Sequence, residues 1–176
     1  MNTWIRRISG LLPVLIVAVV ATGCAGPGTI VPGTTTADEL AGRMGRPTEI
    51  RPAPGGGEYR DYAYGPAGFE TWRFHVAQGR VSSVTQLLTL ERLYRIVPGQ
   101  TTMDQTRDLL GSPHPRNISQ HPLSGETTWE YRVELQPTPV RGMYIVRFDS
   151  RGIAAGIHVL QESSSDSGKS QGGGGP

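Results

Sequence analysis

Ile30-Val31-Pro32-Gly33-Thr34-Thr35-Thr36-Ala37-Asp38, running on to Met44-Gly45-Arg46-Pro47, is the stretch that decides the fold, because the chain writes it a second time. Sixty-six positions later stand Ile96-Val97-Pro98-Gly99-Gln100-Thr101-Thr102-Met103-Asp104, and then Leu110-Gly111-Ser112-Pro113. Nine of the 18 positions from Ile30 to Pro47 are identical at this one ungapped offset. Chance supplies about one, and self-similarity at a fixed spacing marks a repeated structural unit. Each copy carries both ends of a short helix. Thr36-x-x-Glu39 and Thr102-x-x-Gln105 are capping boxes, in which hydroxyl and N3 side chain satisfy each other's backbone N–H groups. Asp38 and Asp104 put negative charge in the first turn, where the helix dipole favours it. Gly45 and Gly111 supply a left-handed closing residue, and Pro47 and Pro113 forbid continuation. Leu40 with Met44, and Leu109 with Leu110, are the apolar residues such helices bury.

The repeat divides 176 residues into two modules, 30–88 and 89–162, each near the lower size limit for an independent core. They are expected to pack on each other as one body. Gly 24 and Pro 14 are too many for a mainly helical protein. Arg6 and Arg7 fall in an export segment, so the mature chain keeps 15 of its 17 Lys+Arg against 15 Asp+Glu. A formal charge of zero leaves no basic stripe to neutralise phosphates, which argues against nucleic acid as a partner.

The first 23 residues have the parts of an export signal: Arg6-Arg7, an apolar run from Leu11 to Val20, then small residues up to a cleavage point after Gly23. That run is too short to span a bilayer. It ends Val20-Ala21-Thr22-Gly23-Cys24, which resembles a bacterial lipobox, and Cys24 is the only cysteine of the chain. A sole thiol in an exported protein cannot form an internal disulfide and is either free or modified. Lipid on Cys24 would hold the protein to a membrane surface without spanning it. Residue 25 is alanine rather than aspartate, which by similarity to Gram-negative lipoproteins implies the periplasmic face of the outer membrane. Residues 24–29 then form a tether.

Beyond the first helix, Arg51 to Gly57 reads as a loop. Tyr62 and Tyr64 share one side of a strand. Trp72, Phe74 and Val76 alternate with Thr71, Arg73 and His75, the period of a half-buried strand. Gln78-Gly79 turns into a third strand, Val81 to Leu88. Thr89 caps one or two helical turns with Leu90, Leu93 and Tyr94 on the apolar side. In the second module Ser112 to Glu126 reads as a loop. Trp129, Tyr131, Val133 and Leu135 face one way on the clearest strand. Gln136 to Gly142 reads as a loop, followed by a strand with Tyr144, Val146 and Phe148, a turn at Asp149 to Gly152, and a last strand from Ile153 to Leu160. Residues 163–176 are Ser/Gly-rich and expected to be disordered. The expected fold class is α+β: two tandem modules, each one or two short helices packed on a three-stranded antiparallel sheet. One face of each sheet is apolar enough for a helix and the other polar enough for water.

No residue set reads as catalytic. The four histidines, His75, His114, His121 and His158, lack metal-ligand spacing, and no second cysteine joins them. Ser112, Ser119 and Ser124 lie near His114 and His121 but outside any nucleophile elbow. The run Gly55-Gly56-Gly57 does not lead a strand into a helix, so no phosphate cradle is expected. The expectation is a protein that is not an enzyme, with no metal, no cofactor and no small-molecule substrate. Trp129, Tyr131, Trp72 and Phe74 read as core, with Trp129 also weighed as an anchor for a partner. Leu123 and the helix-start residues Pro98, Gly99, Gln100 and Thr101 are the candidates for an exposed protein-binding surface.

Leu88-Thr89, Ile96-x-x-Gly99-x-Thr101, Leu110-Gly111-x-Pro113, Gly125-x-x-x-Trp129-x-Tyr131 and Phe148-Asp149-x-x-Gly152 together resemble the SmpA/OmlA family, also called the BamE family, of outer-membrane lipoproteins. The likeness is best over Leu88 to Gln161. The first module shares the helix motif and strand pattern but has Tyr62-x-Tyr64 where the family has Trp-x-Tyr. The resemblance implies a lipoprotein with partners in the β-barrel assembly machinery, accessory to outer-membrane protein assembly. The duplication departs from the family's single copy. A tandem arrangement is similar to that of the β-lactamase inhibitory protein, which implies instead a periplasmic protein-binding lipoprotein. A structural link between outer membrane and cell wall is a further alternative.

Overall fold

The computed structural model describes residues 26–135 and 140–162. Gly23, Cys24, the stretch read as an export segment and residues 163–176, expected to be disordered, lie outside the described residues. Both copies of the repeated stretch fold alike. Helix α1 (Ala37–Met44) and helix α3 (Met103–Leu110) each begin with a closed capping box. The Glu39 N–H donates to the Thr36 hydroxyl at 3.2 Å, and the Thr36 N–H donates to the Glu39 carboxylate at 2.8 Å. The counterparts at Gln105 and Thr102 are 3.1 and 2.9 Å. Gly45 and Gly111 both close their helices at φ 75°, with ψ of −148° and 170°. That is extended rather than left-handed-helical ψ, a region essentially reserved for glycine. The identities ahead of the helices also have a cause. Thr35 and Thr101 are buried, and their hydroxyls accept from the Val31 and Val97 N–H groups at 2.9 and 2.8 Å.

The repeated loop is stitched to the last hairpin of its own half. Gly33 N–H donates to Val81 O and Gly99 N–H to Ala154 O, each at 2.7 Å. Single antiparallel bridges join Thr36 to Arg80 and Thr102 to Ile153.

The α+β expectation of three-stranded sheets is corrected. Among the described residues the protein is mostly β, with two four-stranded antiparallel sheets and three short α-helices. The first sheet runs in order β1 (Glu49–Pro52), β2 (Glu58–Ala63), β3 (Thr71–Ala77), β4 (Arg80–Gln86). The second runs β5 (Ile118–Gln120), β6 (Thr127–Leu135), β7 (Val140–Phe148), β8 (Ala154–Gln161). The missed strands, β1 and β5, are edge strands of 4 and 3 residues. Each follows a helix-ending proline and lies beside more prolines, so its composition reads as loop. Short, proline-flanked strands are what a sheet edge tolerates. β7 also begins earlier than expected, at Val140, and residues 136–139 lie outside the described residues.

The duplication extends beyond the legible stretch. Both sheets carry a β-bulge at the same station, between His75 and Val76 and between Arg147 and Phe148. Matching the pairings sets Tyr62↔Trp72 against Tyr131↔Tyr144. The tight turn of the first half is Gln78-Gly79, both at positive φ (51° and 74°), the geometry that suits strand twist in a two-residue hairpin.

Each half has its own core. Leu40, Phe74 and Val81 are fully buried in the first, with Met44 and Trp72 partly buried around them. Leu110, Val146 and Phe148 are fully buried in the second, beside Trp129 and Tyr131. Each such large side chain stabilises the fold by about 1.5–3 kcal/mol relative to exposure. Helix α2 (Leu90–Leu93) buries Leu93, but its Thr89 makes no side-chain cap and Tyr94 is 80% exposed. Tyr64, expected on the strand with Tyr62, falls just past the end of β2 and is exposed.

The second correction concerns the outer face of the first sheet, expected to meet water. Asp61, Thr71 and Arg73 on that face are buried, at 1%, 2% and 9% exposure. The reason is tertiary: the C-terminal end of α3, from the other half, sits on it.

Candidate protein-contact surface

The seam between the halves is built around Arg73. Its Nε and Nη2 donate to the two Asp61 carboxylate oxygens at 2.7 Å each. Two more of its five hydrogens reach the end of α3, with Nη1 donating to Asp108 O at 2.7 Å and Nη2 to Arg107 O at 2.9 Å. A helix leaves its last carbonyls unpaired and carries partial negative charge there, so a guanidinium is a fitting cap. Asp61 in turn fixes the fork of the guanidinium by bidentate pairing. Around this centre Arg51 pairs with Asp108, and Arg107 Nε lies 3.4 Å from the Glu49 carboxylate. Ser112 donates to Glu49 at 2.7 Å. Gly111 fits because it has no side chain: a Cβ there would stand 2.9 Å from Thr71 Cγ2 and 3.2 Å from Leu87 Cδ1. On its other side the Gly111 carbonyl accepts from the Tyr131 hydroxyl at 2.8 Å. Burial pushes that hydroxyl well above the ordinary tyrosine range. A second clasp lies further along. Phe69 of the first half packs against the Arg132 and Arg141 guanidinium groups, at 4.3 and 5.1 Å from its ring centre. Arg132 also donates to Ala67 O at 2.9 Å and forks onto Glu162, whose carboxyl is held below its usual range by that bonding.

The structure sorts the sequence-derived contact residues into two groups. Trp129 and Thr101 are core. Trp129 is 3% exposed, edge-on to Phe148 at 5.1 Å, and Thr101 spends its hydroxyl on the Val97 N–H. Both side chains are thus largely buried in their own half, unlike the other residues read as contacts. Pro98, Gly99, Gln100 and Leu123 are exposed, Leu123 completely. They gather at one end of the second sheet, because the 97–101 loop bonds to Ala154 while the turn at Gly125 meets Ser150. A groove of about 540 Å³ adjoins Gln100, lined also by Arg95, Val97, Thr101, Gln105, Asp108 and Leu109. Its mouth carries the exposed Val97, and the exposed Tyr94 is the neighbour of Arg95 in the chain. An apolar loop tip, a groove and aromatic exposure are elements of a protein-contact surface.

Sequence reasoning did not pair His75 with Ser82. The serine oxygen lies 2.8 Å from Nδ1, and Gly56 O lies 2.8 Å from Nε2, so Nε2 carries the hydrogen in the neutral ring. The Ser82 hydroxyl is also 3.1 Å from the His75 carbonyl and divides its one hydrogen between them. This exposed network ties the β1–β2 loop to the β3–β4 hairpin. Among the described residues no group of three His, Cys, Asp or Glu side chains is placed to hold a metal ion, and no helix is long and apolar enough to cross a membrane.

Fold and seam together define a mostly β protein of two copied halves, joined by a helix that belongs to one core and is capped by the other. Neither family models, nor curated proteins, nor solved structures yield a match to the chain.

Proposed function

We propose that this protein is a non-enzymatic lipoprotein, held through lipid on Cys24 at the periplasmic face of the outer membrane and accessory to the assembly of β-barrel outer-membrane proteins and to envelope integrity. The observation that carries the reading is the sole cysteine placed directly behind an apolar run and small residues, Val20-Ala21-Thr22-Gly23-Cys24. The motif resemblance supplies the partner class. The geometry supports a scaffold role: two cores locked in one orientation by Arg73 present a rigid loop end with Leu123 and Gln100 to another protein. Rigid presentation lowers the entropy lost on association.

Two experiments test it. Cys24→Ala is expected to move the protein from the membrane to the soluble periplasmic fraction, and retention in the membrane argues against lipidation. Affinity purification of the tagged lipoprotein from outer membranes is expected to recover barrel-assembly components. The duplication favours a second reading, a periplasmic protein-binding lipoprotein with a different target, and recovery of only a soluble envelope protein selects it. Sedimentation with peptidoglycan would point instead to a cell-wall link.

A further inference from the structure

Four strands end the two sheets, and three of them are protected as edges usually are. β1 is short, with Arg51 and a terminal Pro52. β5 has three residues and runs into Pro122. β4 opens with Arg80 and carries Ser82, Ser83 and Thr85. β8 differs. From Gly156 to Gln161 it reads Gly-Ile-His-Val-Leu-Gln, with no Lys, Arg, Asp, Glu or proline, and Val159 and Leu160 are 57% and 58% exposed on opposite faces. Unprotected apolar edges are templates for strand addition.

The direction of the free backbone groups follows from one bond. Glu162 N–H donates to Arg141 O at 2.8 Å, and in antiparallel pairing such contacts alternate. The N–H and C=O groups of Ile157, Val159 and Gln161 therefore point away from β7. At Ala154 the edge is already taken by Gly99 and Thr101. Among the described residues the open run is thus 157–161, centred on Val159.

We infer that β8 is a self-association edge, on which β8 of a second copy pairs antiparallel about a two-fold axis through Val159. This register sets Val159 against Val159, Ile157 against Gln161, His158 against Leu160 and Gly156 against Glu162. Charge complementarity supports it over a foreign strand. Arg147 is paired with Gly156 and is exposed, and it has no ion-pair partner among the described residues. Its Nη2 lies 3.8 Å from where a Gly156 Cβ would stand. The two-fold register brings the partner's Glu162 opposite that glycine; its carboxylate, already held by its own Arg132 at 2.8 and 2.9 Å, would then stand between two guanidinium groups and bridge them with its remaining lone pairs. The symmetry makes this contact twice, while the uncharged centre of the strand meets its own uncharged copy. The product is one eight-stranded antiparallel sheet, within the size open sheets adopt.

The test uses the full-length lipoprotein, in its membrane and after purification in detergent. Val159→Cys places two thiols on the axis, at a separation of about 5.5 Å between Cα atoms, within disulfide range. Mild oxidation is expected to give a disulfide-linked dimer from Val159→Cys and not from Ala155→Cys, with the unsubstituted chain as control for any bridge through Cys24. Sedimentation of the unsubstituted protein is expected to give twice the monomer mass. Val159→Lys is expected to return it to monomer, and Arg147→Glu to weaken association at least tenfold. Should Val159→Lys disturb folding, Arg147→Glu, on the exposed surface, decides alone. Monomeric sedimentation, equal bridging from Ala155→Cys, or bridging of Val159→Cys only to a different protein would each overturn the inference.

Discussion

Gly45 and Gly111 make a matched pair in which one variable changes. Both close a helix of the same length at φ 75°. An alanine at either place is forced into backbone space that costs of order 1–3 kcal/mol. Around Gly45, among the described residues and apart from its own chain neighbours, no atom lies within 4 Å of the new Cβ, so backbone strain accounts for the loss. At Gly111 the same methyl meets Thr71 Cγ2 at 2.9 Å, Leu87 Cδ1 at 3.2 Å and Asp61 Oδ2 at 3.3 Å. Thr71 and Leu87 are themselves buried at 2% and 0% exposure and have no free side to move into. Overpacking of that kind adds about 1–3 kcal/mol. Gly45→Ala is therefore expected to cost about 1–3 kcal/mol, and Gly111→Ala about 2–6 kcal/mol. For a chain of this size the difference corresponds to about 2–4 °C in Tm per kcal/mol. Thermal melts and urea titrations of the two variants side by side measure it. Equal losses would refute the seam as drawn, since they would mean that the end of α3 is as free of neighbours as the end of α1.

Two further outcomes follow from the same region. Arg73→Met leaves the buried Asp61 carboxylate without its two bonds and the Asp108 carbonyl without its Arg73 donor, while the Arg107 carbonyl keeps the Gly111 N–H at 2.9 Å. Removing one member of a buried ion pair costs about 3–5 kcal/mol, and Asp61→Asn added to Arg73→Met is expected to recover part of it. A loss below about 1 kcal/mol in urea unfolding of the single variant would mean that the clamp does not bind the halves. At alkaline pH the buried tyrosines set the limit. Burial pushes Tyr144 up to about 12, and its hydroxyl donates to Leu93 O at 2.9 Å. An unfolded tyrosine ionises near pH 10. The stabilisation from keeping Tyr144 neutral is thus complete below pH 10 and is lost as pH rises from there through about 12. Absorbance of tyrosinate followed with circular dichroism should show ionisation of Tyr144 and Tyr131 coinciding with unfolding, and Tyr144→Phe should flatten the fall in that window. Titration of all tyrosines near pH 10 with the fold intact would contradict the burial.

The repeat was legible because its identities are those of backbone necessity. Thr35 and Thr101 hold a turn, Thr36 and Thr102 cap, and Gly45 and Gly111 occupy a conformation closed to other residues. Inward strand residues such as Phe74, Tyr131 and Phe148 were legible from alternation. Two things were not. β1 and β5 are too short to show a period, and their prolines read as loop although they sit where an edge permits them. The burial of Asp61 and Arg73 is invisible in the first half taken alone, since strand alternation assigns them to solvent. What covers them comes from residues 107–111, in the other copy. The same applies to Trp129, whose aromatic character serves the core equally well as it would serve an interface, so that residue type could not separate the two.

The way the first sheet receives α3 is head-to-tail, and a contact of that kind has no intrinsic reason to stop. A third unit could stack on the second as the second stacks on the first, and so lengthen the chain into a solenoid. The registers show what prevents it. Where the first sheet pairs Asp61 with Arg73, the second pairs Glu130 with Ile145. An incoming helix would find an isoleucine side chain where a guanidinium is needed, leaving its terminal carbonyls unmet. The second half thereby serves as an end cap, of the kind repeat proteins need to stay soluble, and limits the series to two.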